Sequence, residues 1–112
     1  MNDKELKIVD VLEGQGVLVQ KGALLIVNYI GTLSDKSVFE SSFDKGKPFQ
    51  FVYGTGKVIK GWDLGLAGMR VGGKRTLFIP SHLAYGERSV GKIPPHSDLF
   101  FEVELLEARL RE

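Results

Sequence analysis

Few residues in this chain are of types that do covalent or metal chemistry. There is no cysteine, so disulfides, thiolate metal sites and thiol catalysis are excluded. The two histidines, His82 and His96, could join Glu40 or Asp44 as a metal or acid–base site, but no spacing supports that, and they read as surface residues. The run from Gly68 to Lys74, GMRVGGK, fits seven positions of a phosphate-binding loop, and then Arg75 replaces the hydroxyl residue that would hold magnesium. That run also leads out of an expected helix into an expected strand, the reverse of the order required. GTGKVI, from Gly54, lacks the third glycine of a dinucleotide fingerprint, and no serine sits in a nucleophile elbow. A reaction run by this chain would therefore need no nucleophile, metal or cofactor.

What remains is aromatic. Tyr29, Phe39, Phe49, Trp62, Tyr85 and Phe101 are spread over most of the chain. Taken singly, each reads as a core residue, the commonest fate of large rings. Taken together, they could line an apolar pocket floored by Trp62, the only tryptophan.

Some elements must position these rings. Gly54 to Met69, GTGKVIKGWDLGLAGM, reads as the one good helix. Ile59, Trp62, Leu66 and Met69 fall on one face, and Gly61, Gly65 and Gly68 lie inside it. Each interior glycine costs roughly 1 kcal/mol against alanine, so this helix needs a partner to pack on. The glycines also permit close approach to a sheet. The rest reads as strand. Glu5 to Leu12 is an edge strand, and Leu24 to Leu33 puts Leu25, Val27 and Tyr29 on one face and Leu24, Ile26, Asn28 and Ile30 on the other. Short strands are predicted at Val38-Phe39 and Phe49 to Tyr53. Val71-Gly72-Gly73 is predicted to end the helix, followed by strands at Lys74 to Ile79 and Asp98 to Leu106. Ser81 to Pro95 is the longest irregular segment, and a loop of that length is usually functional.

The expected fold is α+β: an antiparallel five- to six-stranded half-barrel sheet wrapped around one short helix. One domain over residues 1–112 is expected from a length of 112 residues. Composition is that of an ordinary globular chain, 43% hydrophobic and 26% charged. Fifteen basic and fourteen acidic residues leave a net charge of +1, which gives no electrostatic footprint for nucleic acid or an anionic membrane. No apolar run is long enough to span a bilayer, and the charged first ten residues lack the apolar run of a signal peptide, so a cytoplasmic protein is expected.

Seven stretches in one order carry a family resemblance: VNYIGTL (Val27 to Leu33), FESS (Phe39 to Ser42), KPFQF (Lys47 to Phe51), VIKGWDLGLAGMRVGGK (Val58 to Lys74), AYG (Ala84 to Gly86), IPPH (Ile93 to His96) and LFFEVELL (Leu99 to Leu106). Over about Leu12 to Glu107 the chain resembles the FKBP-type, macrolide-binding peptidyl-prolyl cis/trans isomerases. The resemblance implies a half-barrel around one helix and rotation about X–Pro bonds in folding proteins. It implies that Trp62 floors a proline-ring pocket walled by Tyr29, Phe39, Phe49, Val58, Ile59 and Phe101. Tyr85 resembles the tyrosine whose hydroxyl bonds a substrate or drug carbonyl, and the Ile59 N–H a second such donor. Ile93 sits in the loop that overhangs the pocket.

Glu40 stands where the family usually has aspartate, a carboxylate that accepts a hydrogen bond in drug complexes, so the change bears on macrolide affinity. The loop from Tyr85-Gly86 to Ile93 is one residue shorter than in the best-known human member. The resemblance further implies proline-containing polypeptides and macrolide inhibitors as partners, no cofactor, and a stand-alone catalytic domain that is monomeric. Two rivals stay open: a proline-binding module of the same fold with little activity, and a carrier holding an apolar ligand in a closed barrel.

Overall fold

The computed structural model describes residues 4–110; residues 1–3 and 111–112 of the expected domain lie outside the described residues. Six strands and one α-helix follow in the order β1 (Lys7–Leu12), β2 (Leu24–Thr32), β3 (Val38–Ser41), β4 (Phe49–Val52), α1 (Lys60–Gly65), β5 (Lys74–Ile79) and β6 (Leu99–Arg109). A 3₁₀ turn at Ser81–Leu83 lies between the last two. The strands make one antiparallel sheet ordered β1-β5-β6-β2-β3, with β4 pairing with β2 beside β3. The expected α+β architecture is thus the observed one, with β1 at an edge.

Alternation along the strands sets which face is inside. Leu99, Phe101, Val103 and Leu105 of β6 and Arg75, Leu77 and Ile79 of β5 are buried, while their neighbours are more exposed. On β2 the face of Leu25, Val27 and Tyr29 is buried, but so is Ile26 from the opposite face. The pairing slips there: Ile26 faces Glu107 and Val27 faces Leu105, so Leu106 is an extra residue on β6. Such a bulge bends the strand and breaks the simple two-face rule.

The helix departs from expectation. It covers Lys60–Gly65, not Gly54 to Met69. Gly54 and Gly56 adopt φ of +80° and +73°, which makes the preceding residues a turn. Gly68, expected inside the helix, lies beyond it at φ +79° and plays the left-handed part assigned to the glycines at 72 and 73. Leu66 and Met69 are nonetheless buried, because the turn after the helix keeps them facing the sheet.

The two glycines that remain helical explain how the helix seats. A Cβ on Gly61 would stand 2.3 Å from Ile79 Cγ2, and one on Gly65 2.9 Å from Leu77 Cδ1. Polar bonds complete the docking. Arg75 reaches from β5, buried, to donate to the Gly65 and Ala67 carbonyls at 2.9 and 2.7 Å, and its Nε pairs with Asp10 of β1 at 2.6 Å. A cation on the last carbonyls satisfies acceptors that the helix cannot bond itself. On the other flank, the Tyr53 hydroxyl donates to the Asp63 carbonyl at 2.7 Å. Burial, then the charge of Asp63, raises the Tyr53 pKa against the opposing charge of Arg75.

Candidate functional site

The helix presents Trp62 to the buried face of the sheet, where it is 4% exposed. Rings surround it. Tyr29, Phe49 and Phe101 lie edge-on at centroid distances of 5.2, 6.0 and 5.3 Å, and Phe51 is tilted at 5.7 Å. Edge-to-face packing at these distances is favourable. Trp62 Nε1 is buried and has no hydrogen-bond partner among the described residues, so packing holds the indole. Above it opens a cavity of about 250 Å³ lined by Tyr29, Phe39, Glu40, Lys45, Phe49, Lys57, Val58, Ile59, Trp62, Tyr85 and Phe101.

Nine of the ten residues predicted for the site therefore meet at one cavity. Ile93 does not line it. It is buried in the hydrophobic core at 5% exposure, anchored by a tight turn in which Val90 and Ile93 exchange backbone hydrogen bonds.

Each wall residue has a local cause. Tyr29 is fixed by Ser42, whose buried hydroxyl accepts from the Tyr29 N–H at 3.0 Å while its own N–H donates to the Tyr29 carbonyl at 3.0 Å. Phe39 meets Phe101 edge-on at 5.6 Å, and both rings lie over Gly31. A Cβ on Gly31 would come within 2.5 Å of Phe39 Cζ and 2.8 Å of Phe101 Cε1. Tyr85 stands in a loop tied by Gly86 N–H to the Ser81 carbonyl, His96 N–H to the Gly86 carbonyl, and Ser81 N–H to Asp98 Oδ1.

Ionisation at the mouth is one-sided. Burial raises the Tyr29 pKa well above the usual tyrosine range, helped by the hydrogen bond its hydroxyl gives Glu40 and by the charges of Glu40 and Tyr85. Burial likewise raises Tyr85, with Glu40 adding and Arg88 opposing. Burial pushes Glu40 up too, but the hydrogen bonds from Lys45 and Tyr29 and the lysine's charge outweigh it, so its pKa falls below the usual glutamate value. Lys45 Nζ lies 2.8 Å from Glu40 Oε2. Two donors stay open: the Tyr85 hydroxyl and the Ile59 N–H make no hydrogen bond among the described residues. Ile59 precedes the helix at φ −59° and ψ 151°, and its carbonyl accepts from Trp62 and Asp63.

His82 and His96 are exposed and outside the cavity lining, and among the described residues no group of three or more histidine, aspartate or glutamate side chains is placed to hold a metal ion. Sequence reasoning missed Gly31, Ser42, Lys45 and Lys57. For Gly31, the only signal was a glycine inside a strand, which marks a close approach.

The result is a ring-walled cavity with two donors at its mouth that make no hydrogen bond among the described residues, and comparisons with known proteins give the chain's family. Residues 16–106 match the model of the FKBP-type peptidyl-prolyl cis-trans isomerase family, and the chain belongs to that family. It is 50% identical over 102 residues to the FK506-binding protein of Neisseria meningitidis, covering 90% of this chain and 94% of that one. It is 49% identical over 106 residues to FK506-binding protein 4 of Aspergillus fumigatus, with 95% of this chain covered but only 22% of the fungal protein's length. Among solved structures, AtFKBP13 superposes with a TM-score of 0.87 at 43% identity over 91% of each chain. FkpA from Escherichia coli does so with a TM-score of 0.87 at 41% identity, over 94% of this chain and 48% of that one.

Proposed function

We propose that this protein is a peptidyl-prolyl cis/trans isomerase that turns X–Pro bonds over Trp62. The observation that carries the reading is the edge-on packing of Tyr29, Phe49 and Phe101 against the indole, with the Tyr85 hydroxyl and the Ile59 N–H at the same cavity making no hydrogen bond among the described residues. The reaction has a barrier of about 18–20 kcal/mol, which arises from amide resonance. Resonance puts partial charge on the carbonyl oxygen, and water hydrogen bonds favour that planar form. A pocket of apolar rings removes the water and favours the twisted, less polar amide. Tyr85 and Ile59 hold flanking carbonyls, so the chain is fixed while the imide turns. Binding energy then goes to the twisted state, which is what lowers the barrier.

Macrolides of the FK506 class would occupy the same cavity and use the same two donors. Glu40 is already engaged by Lys45 and Tyr29, so a ligand hydroxyl must share or displace one of them. The test is an isomerisation assay on a proline tetrapeptide, with and without a macrolide. Acceleration that the macrolide abolishes is expected. Binding of peptide without acceleration would make the protein a proline-binding module instead.

A further inference from the structure

The wall segment that bears the Ile59 donor has little backbone support of its own. From Thr55 to Ile59 no N–H makes a hydrogen bond among the described residues, and no carbonyl from Gly54 to Val58 accepts one. Its two ends, by contrast, converge on Asp63. Asp63 Oδ1 accepts the Gly54 N–H at 3.3 Å, and the Asp63 N–H donates to the Ile59 carbonyl at 3.4 Å. The Asp63 carbonyl lies near the helix end, where intrahelical donors run out, and it accepts the Tyr53 hydroxyl at 2.7 Å, the shortest of the three bonds. Tyr53 is itself rooted at the start of β2, where its N–H donates to the Ala23 carbonyl and its carbonyl accepts from the Gly22 N–H, both at 2.9 Å. The side chain thus ties sheet to helix across the base of the loop, without lining the cavity.

We propose that Tyr53 is a positioning residue of the isomerase, which fixes where the Ile59 N–H meets a substrate carbonyl by tying the sheet to the Asp63 carbonyl. The inference rests on the isomerase reading and adds to it a residue outside the pocket. A hydrogen bond weakens steeply with distance and angle, so a donor whose support is loosened loses much of its hold. The loop cannot restore the position itself, because its own N–H groups bind nothing between Gly54 and the helix. Gly54 and Gly56, both at positive φ, give it further freedom to shift. The Tyr53 ring packs against the hydrophobic core, so it keeps its place when the hydroxyl alone is removed. Burial raises the Tyr53 pKa, and the hydroxyl therefore keeps the proton it donates throughout the neutral range.

The experiment measures kcat/KM, per folded molecule, for a proline peptide and two analogues. In each analogue one amide flanking the X–Pro bond is replaced by an alkene, which keeps the shape and loses the acceptor. The parent is compared with Tyr53→Phe and with Asp10→Asn, which loosens the Arg75 end of the same helix docking. A neutral hydrogen bond is worth roughly three- to tenfold, so the parent should favour the amide by that factor at both positions. In Tyr53→Phe the preference for the carbonyl held by Ile59 should fall below about twofold, while that for the carbonyl held by Tyr85 persists. Asp10→Asn should keep both preferences. Relaxation dispersion of the Val58 and Ile59 amides should rise in Tyr53→Phe and not in Asp10→Asn. Both preferences intact or both lost in Tyr53→Phe, or the same loss in Asp10→Asn, would overturn the inference and leave the isomerase reading standing. So would a parent that accelerates all three peptides equally. No acceleration of the unmodified peptide by the parent would overturn both.

Discussion

At the scale of single residues, the ionisable groups of the pocket are held in fixed states over the neutral range. Glu40 has a lowered pKa, so it stays charged down to below the usual glutamate value of about 4.3; Tyr29 and Tyr85 have raised pKa values, so they stay neutral to above about 10. The linkage signs follow. The lowered Glu40 pKa contributes stability that is present above the unfolded value and lost as pH falls through the folded one. The raised tyrosine values contribute stability that is present below about 10 and lost as pH rises beyond it. Neither window reaches neutrality, so kcat/KM should be flat from about pH 5.5 to 8.5. A rate profile that shows a limb near about pH 6.5, the ordinary histidine value, and loses it in the His82→Gln, His96→Gln double variant would mean that a proton moves in the reaction. Gly31 gives a second test. Gly31→Ala must push the Phe39 and Phe101 rings apart, and these are pocket walls. Turnover should fall about tenfold or more, with a stability loss of about 1–3 kcal/mol, the usual cost of overpacking. Assays per folded molecule, beside a denaturant titration, separate the two quantities.

At the scale of elements, the helix that bears Trp62 is too short and too glycine-rich to exist alone. Its position depends on the fit of Gly61 and Gly65 to β5 and on Arg75 beneath its end. Arg75→Met should cost about 2–4 kcal/mol, since it removes charge-assisted bonds to two carbonyls and strands them. Asp10→Asn should cost under about 1 kcal/mol, because Asp10 is 39% exposed at its side chain and water replaces the partner. Urea titrations of the two variants would check the contrast. Equal losses would mean that the ion pair, and not the helix carbonyls, is what Arg75 serves.

At the scale of the whole molecule, one apolar cluster joins Trp62 and Leu66 to β2, β4, β5 and β6, through Leu25, Val27, Phe51, Leu77, Ile79, Leu99, Phe101, Val103 and Leu105. The sheet order sets β1 beside β5 and β6 beside β2, so most pairings join distant parts of the sequence. Such a structure should unfold as a unit. Trp62 fluorescence reports the pocket, and far-ultraviolet dichroism reports the sheet. Their transitions in urea are expected to coincide. A lower midpoint by fluorescence would show that the helix and pocket open before the sheet does. Long-range pairing also predicts folding in milliseconds to seconds, about the range of topologies with high contact order.

The sequence by itself determined most of the sheet. Lys74 to Ile79 was legible to the residue because strict alternation leaves one buried face, and Pro80 ends it. It also determined which rings belong together, through seven ordered stretches that resemble one family. The length of the helix was not legible, since the apolar spacing of Leu66 and Met69 suits a helix and a following turn equally well. Only backbone conformation at Gly54, Gly56 and Gly68 separates those cases. The place of Ile93 was likewise a tertiary decision, made by a turn that draws it into the core. So were the packing of the Phe39 and Phe101 rings over Gly31 and the cap supplied by Arg75. Each depends on what another part of the chain brings alongside, and a local pattern of residue types carries no record of that neighbour.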